Sequence, residues 1–340
     1  MLHGPGGISR STRRVRRRFL AMAVVGGLAA SVMMSTASAG GHIETVVEFD
    51  VAAGELPEGV AVDKRGNVFA SLSPLGQLVK IPAGTTDAVP FGLVSGLGPD
   101  DIGLIGLAVD APGNVYGAVF APTGTATGVW KFDRNTGAEE LVPGTDDMVF
   151  PNSVAFDKQG TMYITDTFEG AVWRVERGGT AELWVQDPLL EGNGNAGFPF
   201  PIGANGIAVR HNTVYVGVTE QSSIVTIPIQ PDGSPGTPEV LATIPGAAVD
   251  GIALDVHGNV YFANPVPSAI IKVSADGSLT ETVADDLNFL DGPTSVAFGT
   301  GRGDKQSLYA VNFSVALGTP LGAGPSVVKV DVGVPGQPVP

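Results

Sequence analysis

Glu58, Asn152, Asn205 and Asp250 each stand immediately before a short apolar run, respectively "GVAV", "SVAF", "GIAV" and "GIAL". Two carboxylates and two carboxamides offer oxygen donors alone, and oxygen-only sets suit a hard cation such as Ca²⁺ or Mg²⁺. The chain has no cysteine, which excludes disulfides, thiolate metal sites and cysteine nucleophiles. Its four histidines are His3, His42, His211 and His257, the first two near the N-terminus and the others in expected turns. A Ser-His-Asp triad or a histidine-liganded zinc site needs converging histidines, which this pattern does not supply. Catalysis here falls to carboxylates, amides and a hard cation.

The four residues belong to a repeated phrase. Copies begin at Glu58, Ile105, Asn152, Asn205, Asp250 and Thr294, spaced 47, 47, 53, 45 and 44 residues apart. Each copy alternates at period two, turns on Gly or Asn, and resumes as a β-branched or aromatic strand. A third strand follows ("GQLVKIP", "TGVWKFD", "GAVWRVE", "SIVTIPI", "AIIKVSA", "SVVKVDV"), and a fourth in most copies. Four antiparallel strands recurring about every 45 residues is the signature of a β-propeller blade. The last copy ends on its third strand, whereas "IETVVEF" at 43–49 is a strand without a repeat. The expectation is an all-β, six-bladed propeller over residues 40–332, closed by the N-terminal strand completing blade 6. Residues 333–340, "GVPGQPVP", read as a flexible tail.

In such a ring the first strand of every blade lines the central channel and starts at the same face. The position before each apolar run is then a ring of residues: Glu58, Ile105, Asn152, Asn205, Asp250 and Thr294. Glu58, Asn152, Asn205 and Asp250 are the candidate metal ligands. The same column also reads as the polar end of a loop around a water-filled channel. A second ring lies at the end of the returning strand, where Asp166, Asn264 and Asn312 are candidates for an outer shell or for substrate contact. Asp63, Asp110, Asp157 and Asp255 end first strands and read as caps of the following turns.

The first 39 residues read as a signal peptide, with a basic stretch "RRVRRRFL", an apolar stretch and "ASA" before a cleavage point. Arg16-Arg17-Arg18-Phe19-Leu20 resembles a twin-arginine export motif, and an Arg-rich stretch of this kind is equally compatible with an ordinary signal. Removing this segment leaves 13 basic against 34 acidic residues, a formal charge of −21. That balance argues against nucleic acid and anionic membrane as partners and favours cations. A secreted or periplasmic bacterial protein is expected, monomeric and with no membrane span after cleavage.

On these residues the chain resembles the SMP-30/gluconolactonase/luciferin-regenerating-enzyme family of six-bladed propellers. Family members present a Glu in an "EGP" phrase, an Asn in an "ND" phrase, an Asn in an "NG" phrase and an Asp in a "DG" phrase. Glu58-Gly59, Asn152-Ser153, Asn205-Gly206 and Asp250-Gly251 stand here in that order. The resemblance implies one divalent cation in the channel, Ca²⁺ first with Mg²⁺, Mn²⁺ or Zn²⁺ as alternatives. It further implies that Glu58, Asn152, Asn205 and Asp250 hold the ion, and that Asp250 is the general base in hydrolysis of a lactone or ester.

Departures bear on substrate. Sugar-lactone members often carry an Arg two residues before the "ND" Asn, where this chain has Phe150. Phe150 and the loop "EGNGNAGFPFPIG" at 191–203 make the expected entrance more apolar, and Thr294 joins them as a residue that touches substrate or the outer shell. Paraoxonases and virginiamycin-lyase-like propellers rely on histidines absent here, and strictosidine-synthase-like propellers on a glutamate with no counterpart besides Glu58. Two readings stand: an exported metal-dependent hydrolase of small lactones or esters, or a non-catalytic NHL-type propeller that binds a protein, glycan or small ligand.

Overall fold

The computed structural model describes residues 41–195, 200–314 and 322–340, so the expected signal segment lies outside it. Within these residues the chain forms six four-stranded antiparallel sheets. The first runs outward in chain order through Pro57–Val62, Val68–Leu72, Gln77–Ile81 and Val89–Leu93. The sixth contains Pro293–Phe298, Ser307–Asn312 and Ser326–Asp331, and its outermost strand is Ile43–Glu48 from the other end of the chain. Ile43 pairs with Val330 and Glu48 with Ser326, so the expected ring closure is present. Closing the circle with the first strand protects the edge that would otherwise be left for another chain to pair with.

The six inner strands are Pro57–Val62, Gly103–Val109, Pro151–Phe156, Ala204–Arg210, Ile252–Leu254 and Pro293–Phe298. Each touches the next, and the last touches the first. Core side chains fall into six clusters, each shared by two adjacent blades. Between blades 3 and 4, for example, Ala155, Tyr163 and Val172 meet Ile207, Val209 and Val216. Sheets covered on both faces explain why inner and middle strands are apolar at nearly every position. Burying one Val, Leu or Ile side chain contributes about 1.5–3 kcal/mol, so the blade interfaces carry the stability a disulfide-free chain requires.

The turn aspartates behave as expected. Asp63 Oδ1 accepts from the backbone N–H groups of Arg65 and Asn67 at 2.8 and 3.0 Å. Asp110, Asp157 and Asp255 cap their turns in the same way.

Residues 333–340, expected as a flexible tail, follow a course fixed by hydrogen bonds across the mouth opposite the ring of polar residues. Val256 N donates to Pro335 O at 3.0 Å, Gly336 N to Lys305 O at 3.2 Å and Gln337 N to Leu254 O at 2.8 Å. Gln337 Nε2 adds a bond to Val209 O at 2.7 Å. Pro338, Val339 and Pro340 then line a cavity of about 180 Å³ with residues from all six inner strands, including Val62, Val109 and Leu254.

Candidate metal and catalytic site

Five of the six inner strands carry a register shift where they pair with the second strand. The shifts fall between Pro57 and Val60, Leu104 and Leu107, Pro151 and Val154, Ala204 and Ile207, and Pro293 and Ser295. Glu58, Ile105, Asn152, Asn205 and Thr294 therefore sit in β-bulges, which bend the strand and re-aim its side chains. In blade 5 the paired strand begins at Ile252, and Asp250 and Gly251 precede it as an irregular entry.

The glycine after several ring residues has a steric cause. A Cβ on Gly59 would lie 2.2 Å from Ile105 O, on Gly106 2.4 Å from Asn152 O, and on Gly206 2.3 Å from Asp250 O. Four of the ring carbonyls accept from the blade before: Ser71 Oγ donates to Ile105 O at 2.9 Å, Thr165 Oγ1 to Asn205 O at 2.6 Å and Gly251 N to Thr294 O at 2.8 Å. Thr294 Oγ1 donates to Glu58 O at 2.8 Å and ties the last blade to the first. With these carbonyls engaged sideways, the ring side chains are available to meet a ligand in the channel.

Two of them interact strongly. Burial first, and then the charge of Asp250, push the Glu58 carboxyl well above the usual carboxylate range. Burial pushes Asp250 up to about 8, opposed by hydrogen bonds from the Asn205 side chain and the Gly251 N–H. As whole residues Glu58 and Asp250 are partly exposed. Among the described residues no ion pair joins either one to a lysine, arginine or histidine. Two neighbouring carboxylates in a desolvating wall without a counter-charge either hold a proton or need a cation.

Asn205 is oriented by its neighbours. Its Nδ2 donates to Thr219 Oγ1 at 3.0 Å, and Thr219 Oγ1 donates onward to Val249 O at 2.8 Å. A hydroxyl has one proton to give, so Thr219 must accept from Asn205. This fixes the amide nitrogen toward Thr219 and Asp250 and leaves Oδ1 as its remaining acceptor. Asn152 is 7 % exposed at the equivalent place in blade 3, one blade from Asn205. The donor chemistry fits a hard divalent cation: two carboxylates and two amide oxygens. Among the described residues no three or more His, Cys, Asp or Glu are placed together to hold a metal ion, and half of this set is asparagine.

Asp166, Asn264 and Asn312 act behind this ring. The Asp166 carboxylate accepts from the N–H groups of Val149 at 2.7 Å, Phe150 at 3.1 and 3.2 Å, and Phe168 and Glu169 at 3.2 Å. Asn264 Oδ1 accepts from Ala248 N at 2.8 Å and its Nδ2 donates to Pro267 O at 2.9 Å. Asn312 Oδ1 accepts from Asp291 N at 3.1 Å, while Nδ2 donates to Phe289 O and Ser326 Oγ. All three are at most 1 % exposed and staple the segment that enters an inner strand. Their side chains are thus engaged by the backbone of the segments that lead to the ring. Phe150 packs into the apolar cluster of blades 2 and 3 beside Ile105.

Sequence reading missed Ser71, Thr165 and Thr219, whose hydroxyls link neighbouring blades. Ser71 Oγ accepts from Gly59 N at 2.7 Å and donates to Ile105 O at 2.9 Å. Thr165 Oγ1 repeats the relay from Ser153 N to Asn205 O. The available signal was a hydroxyl residue near the end of the second strand in blades 1, 3 and 4.

A family model described as the SMP-30/Gluconolactonase/LRE-like region matches residues 202–311, which contain Asn205, Asp250 and Thr294. The resemblance read from the phrases is borne out over that stretch. No curated protein matches the chain. Among solved structures the chain is similar to a gluconolactonase from Xanthomonas campestris, at 16 % identity and a TM-score of 0.62 over 86 % of this chain and 89 % of that one. It is similar to regucalcin from Agrobacterium tumefaciens, a calcium-binding protein, at 17 % identity and a TM-score of 0.62 over 84 % and 93 %. It is similar to a luciferin-regenerating enzyme at 16 % identity and a TM-score of 0.65 over 88 % and 98 %. At these identities the likeness shows a shared fold.

Proposed function

We propose that the protein is an exported hydrolase of small lactones or esters that works with one divalent cation, Ca²⁺ first, in the central channel. The observation that carries this reading is the pairing of Glu58 and Asp250. Two desolvated carboxyl groups share one end of a channel with an amide fixed by Thr219, and among the described residues no basic side chain forms an ion pair with either. The names of the similar structures, a gluconolactonase and a calcium-binding protein, agree with it.

Glu58, Asn152, Asn205 and Asp250 would hold the cation. When bound, it supplies Lewis acidity that polarises a carbonyl oxygen and acidifies nearby water. Asp250, held by the Gly251 N–H and the Asn205 amide, takes the proton of the water that adds to that carbonyl. Thr219 keeps the Asn205 amide in one orientation, and Asp166 fixes the loop leading to Asn152. The partner is a small neutral or cationic ester, consistent with the strongly acidic chain. No helix among the described residues is long and apolar enough to cross a membrane.

Elemental analysis of the purified protein, with a lactonase and esterase panel before and after EDTA, tests this. One bound divalent ion and EDTA-sensitive turnover are expected. A metal-free protein with no hydrolytic activity at any calcium concentration would sink the proposal and leave the binding-module reading.

A further inference from the structure

The channel mouth has two unlike sides. Asn205, Asp250 and Glu58 from blades 4, 5 and 1 give it a polar arc, whereas the ring position of blade 2 is Ile105, 2 % exposed. Next to Ile105 four phenylalanines from separate segments converge. Phe120 ends the second strand of blade 2, and Phe150 lies two residues before Asn152. Phe168 follows the second strand of blade 3, and Phe200 lies four residues before Ala204, where the inner strand of blade 4 begins.

Phe120 and Phe150 stack with centroids 3.9 Å apart and planes 9° from parallel. Phe168 stands edge-on to both, at 5.6 and 5.0 Å. Phe200 adds edge contacts to Phe150 at 6.1 Å and Phe168 at 5.2 Å. Phe120 and Phe150 are core residues at 8 % and 4 % exposure, yet Phe168 keeps 38 % of its surface open.

This wall is held rigidly. The buried Asp166 carboxylate accepts N–H bonds from Phe150 and Phe168 together, tying the two loops that carry them. Thr167 N donates to Phe150 O at 3.0 Å, and Thr167 Oγ1 to Ala204 O at 2.7 Å, one residue from Asn205. The backbone donors of these loops are therefore taken, so the wall offers a ligand hydrocarbon contact and few hydrogen bonds. A hydroxyl-rich substrate would give up water there without replacement, whereas an alkyl or aryl group gains from leaving water.

We infer that Phe168, Phe200 and Phe150 form the subsite for an apolar substituent of the substrate, so that the protein prefers alkyl- or aryl-bearing lactones or esters over polyhydroxylated lactones. The inference rests on the hydrolase reading for its choice of ligand.

The test is a series of γ-lactones with side chains lengthened one methylene at a time, beside a polyhydroxylated δ-lactone. In the calcium-loaded wild type kcat/KM is expected to rise about two- to fourfold per methylene until the wall is covered. Phe168→Ala should flatten that rise, and Phe168→Leu should keep most of it. A higher kcat/KM for the polyhydroxylated lactone, or a rise equally steep in Phe168→Ala, overturns the subsite while leaving the hydrolase intact. If no lactone or ester is turned over, the hydrolase reading fails, and titration calorimetry with the matching alkyl-substituted cyclic ethers decides the subsite. Binding that strengthens with chain length in the wild type and is lost in Phe168→Ala supports it; no binding overturns it.

Discussion

Thr294 Oγ1 donates to the carbonyl oxygen of Glu58 at 2.8 Å, joining the inner strands of the last and first blades across 236 residues of chain. The ring carbonyls of Ile105, Asn205 and Thr294 are likewise engaged by the preceding blade. The inner strands that carry the candidate ligands are therefore tied to one another by contacts between neighbouring blades. Moving one inner strand displaces the ring residue of the next.

Gly206→Ala tests that coupling. The new Cβ would lie 2.3 Å from Asp250 O and 2.7 Å from Ile252 N, both backbone atoms that cannot rotate away. The strand must shift, at a cost of about 1–3 kcal/mol. A lowered melting temperature is expected together with weaker calcium binding by titration calorimetry. Unchanged calcium affinity would show that Asp250 is positioned independently of the neighbouring blade.

The blades and the closing strand were legible because alternation at period two and a repeat near 45 residues are properties of the sequence itself. The ring column was legible for the same reason: Glu58, Asn152, Asn205 and Asp250 keep one offset from the apolar run. The β-bulges were not, since a register shift depends on the partner strand. Asp166, Asn264 and Asn312 were recognised as a second ring, but their partners are backbone N–H and C=O groups, which sequence does not display. Of the aromatic wall, Phe150 was visible through its distance from Asn152. Phe120 and Phe168 meet it from other segments, and no local pattern announces that meeting.

Asp166→Ala should be among the more damaging substitutions away from the ring. The side chain is fully buried, and it accepts from four backbone N–H groups. Leaving buried donors unpaired costs about 1–3 kcal/mol each where water cannot replace the carboxylate, so a loss of roughly 2–5 kcal/mol is expected. Denaturant unfolding measures it. A loss below about 1 kcal/mol would mean that water reaches these donors and that the phenylalanine loops are not clamped.

Asp250→Asn separates stability from catalysis. It removes one of two adjacent carboxylates while keeping the shape of the side chain, so the metal-free variant at pH 8 should melt higher than the metal-free wild type. Turnover should fall about 10²–10⁴-fold, since an amide cannot take the proton from water. Calcium should also stabilise the variant less. Full activity in Asp250→Asn would remove Asp250 from the role of base.

The C-terminal segment should contribute to stability. Deleting residues 335–340 removes the bonds Val256 N to Pro335 O, Gly336 N to Lys305 O, Gln337 N to Leu254 O and Gln337 Nε2 to Val209 O. At about 0.5–1.5 kcal/mol each, a net loss of roughly 2–4 kcal/mol is expected, with the apolar far mouth opened to water. Thermal unfolding and binding of a hydrophobic dye report both changes. An unchanged melting temperature would show that the segment is not docked in solution.

The pH dependence of the metal-free protein follows from the Glu58–Asp250 pair. Both groups have folded-state values above their ordinary ones, Asp250 at about 8 against 3.8 and Glu58 well above 4.5. The folded state then holds more protons than the unfolded chain, so this contribution is fully present below about pH 4 and is lost as pH rises toward about 8. Each group can contribute a slope of at most about 1.4 kcal/mol per pH unit, and the partial exposure of both residues keeps the measured slope below that limit. Calcium requires the deprotonated pair, so its stabilising effect should grow over the same window. Melting temperatures at pH 5, 6.5 and 8, with EDTA or with calcium, measure both trends against Asp250→Asn as the reference. The metal-free wild type should lose stability relative to the variant as pH rises, and calcium should reverse the loss. If wild type and variant change in parallel with EDTA, the two carboxyl groups do not feel each other, and the electrostatic case for a cation between them is removed.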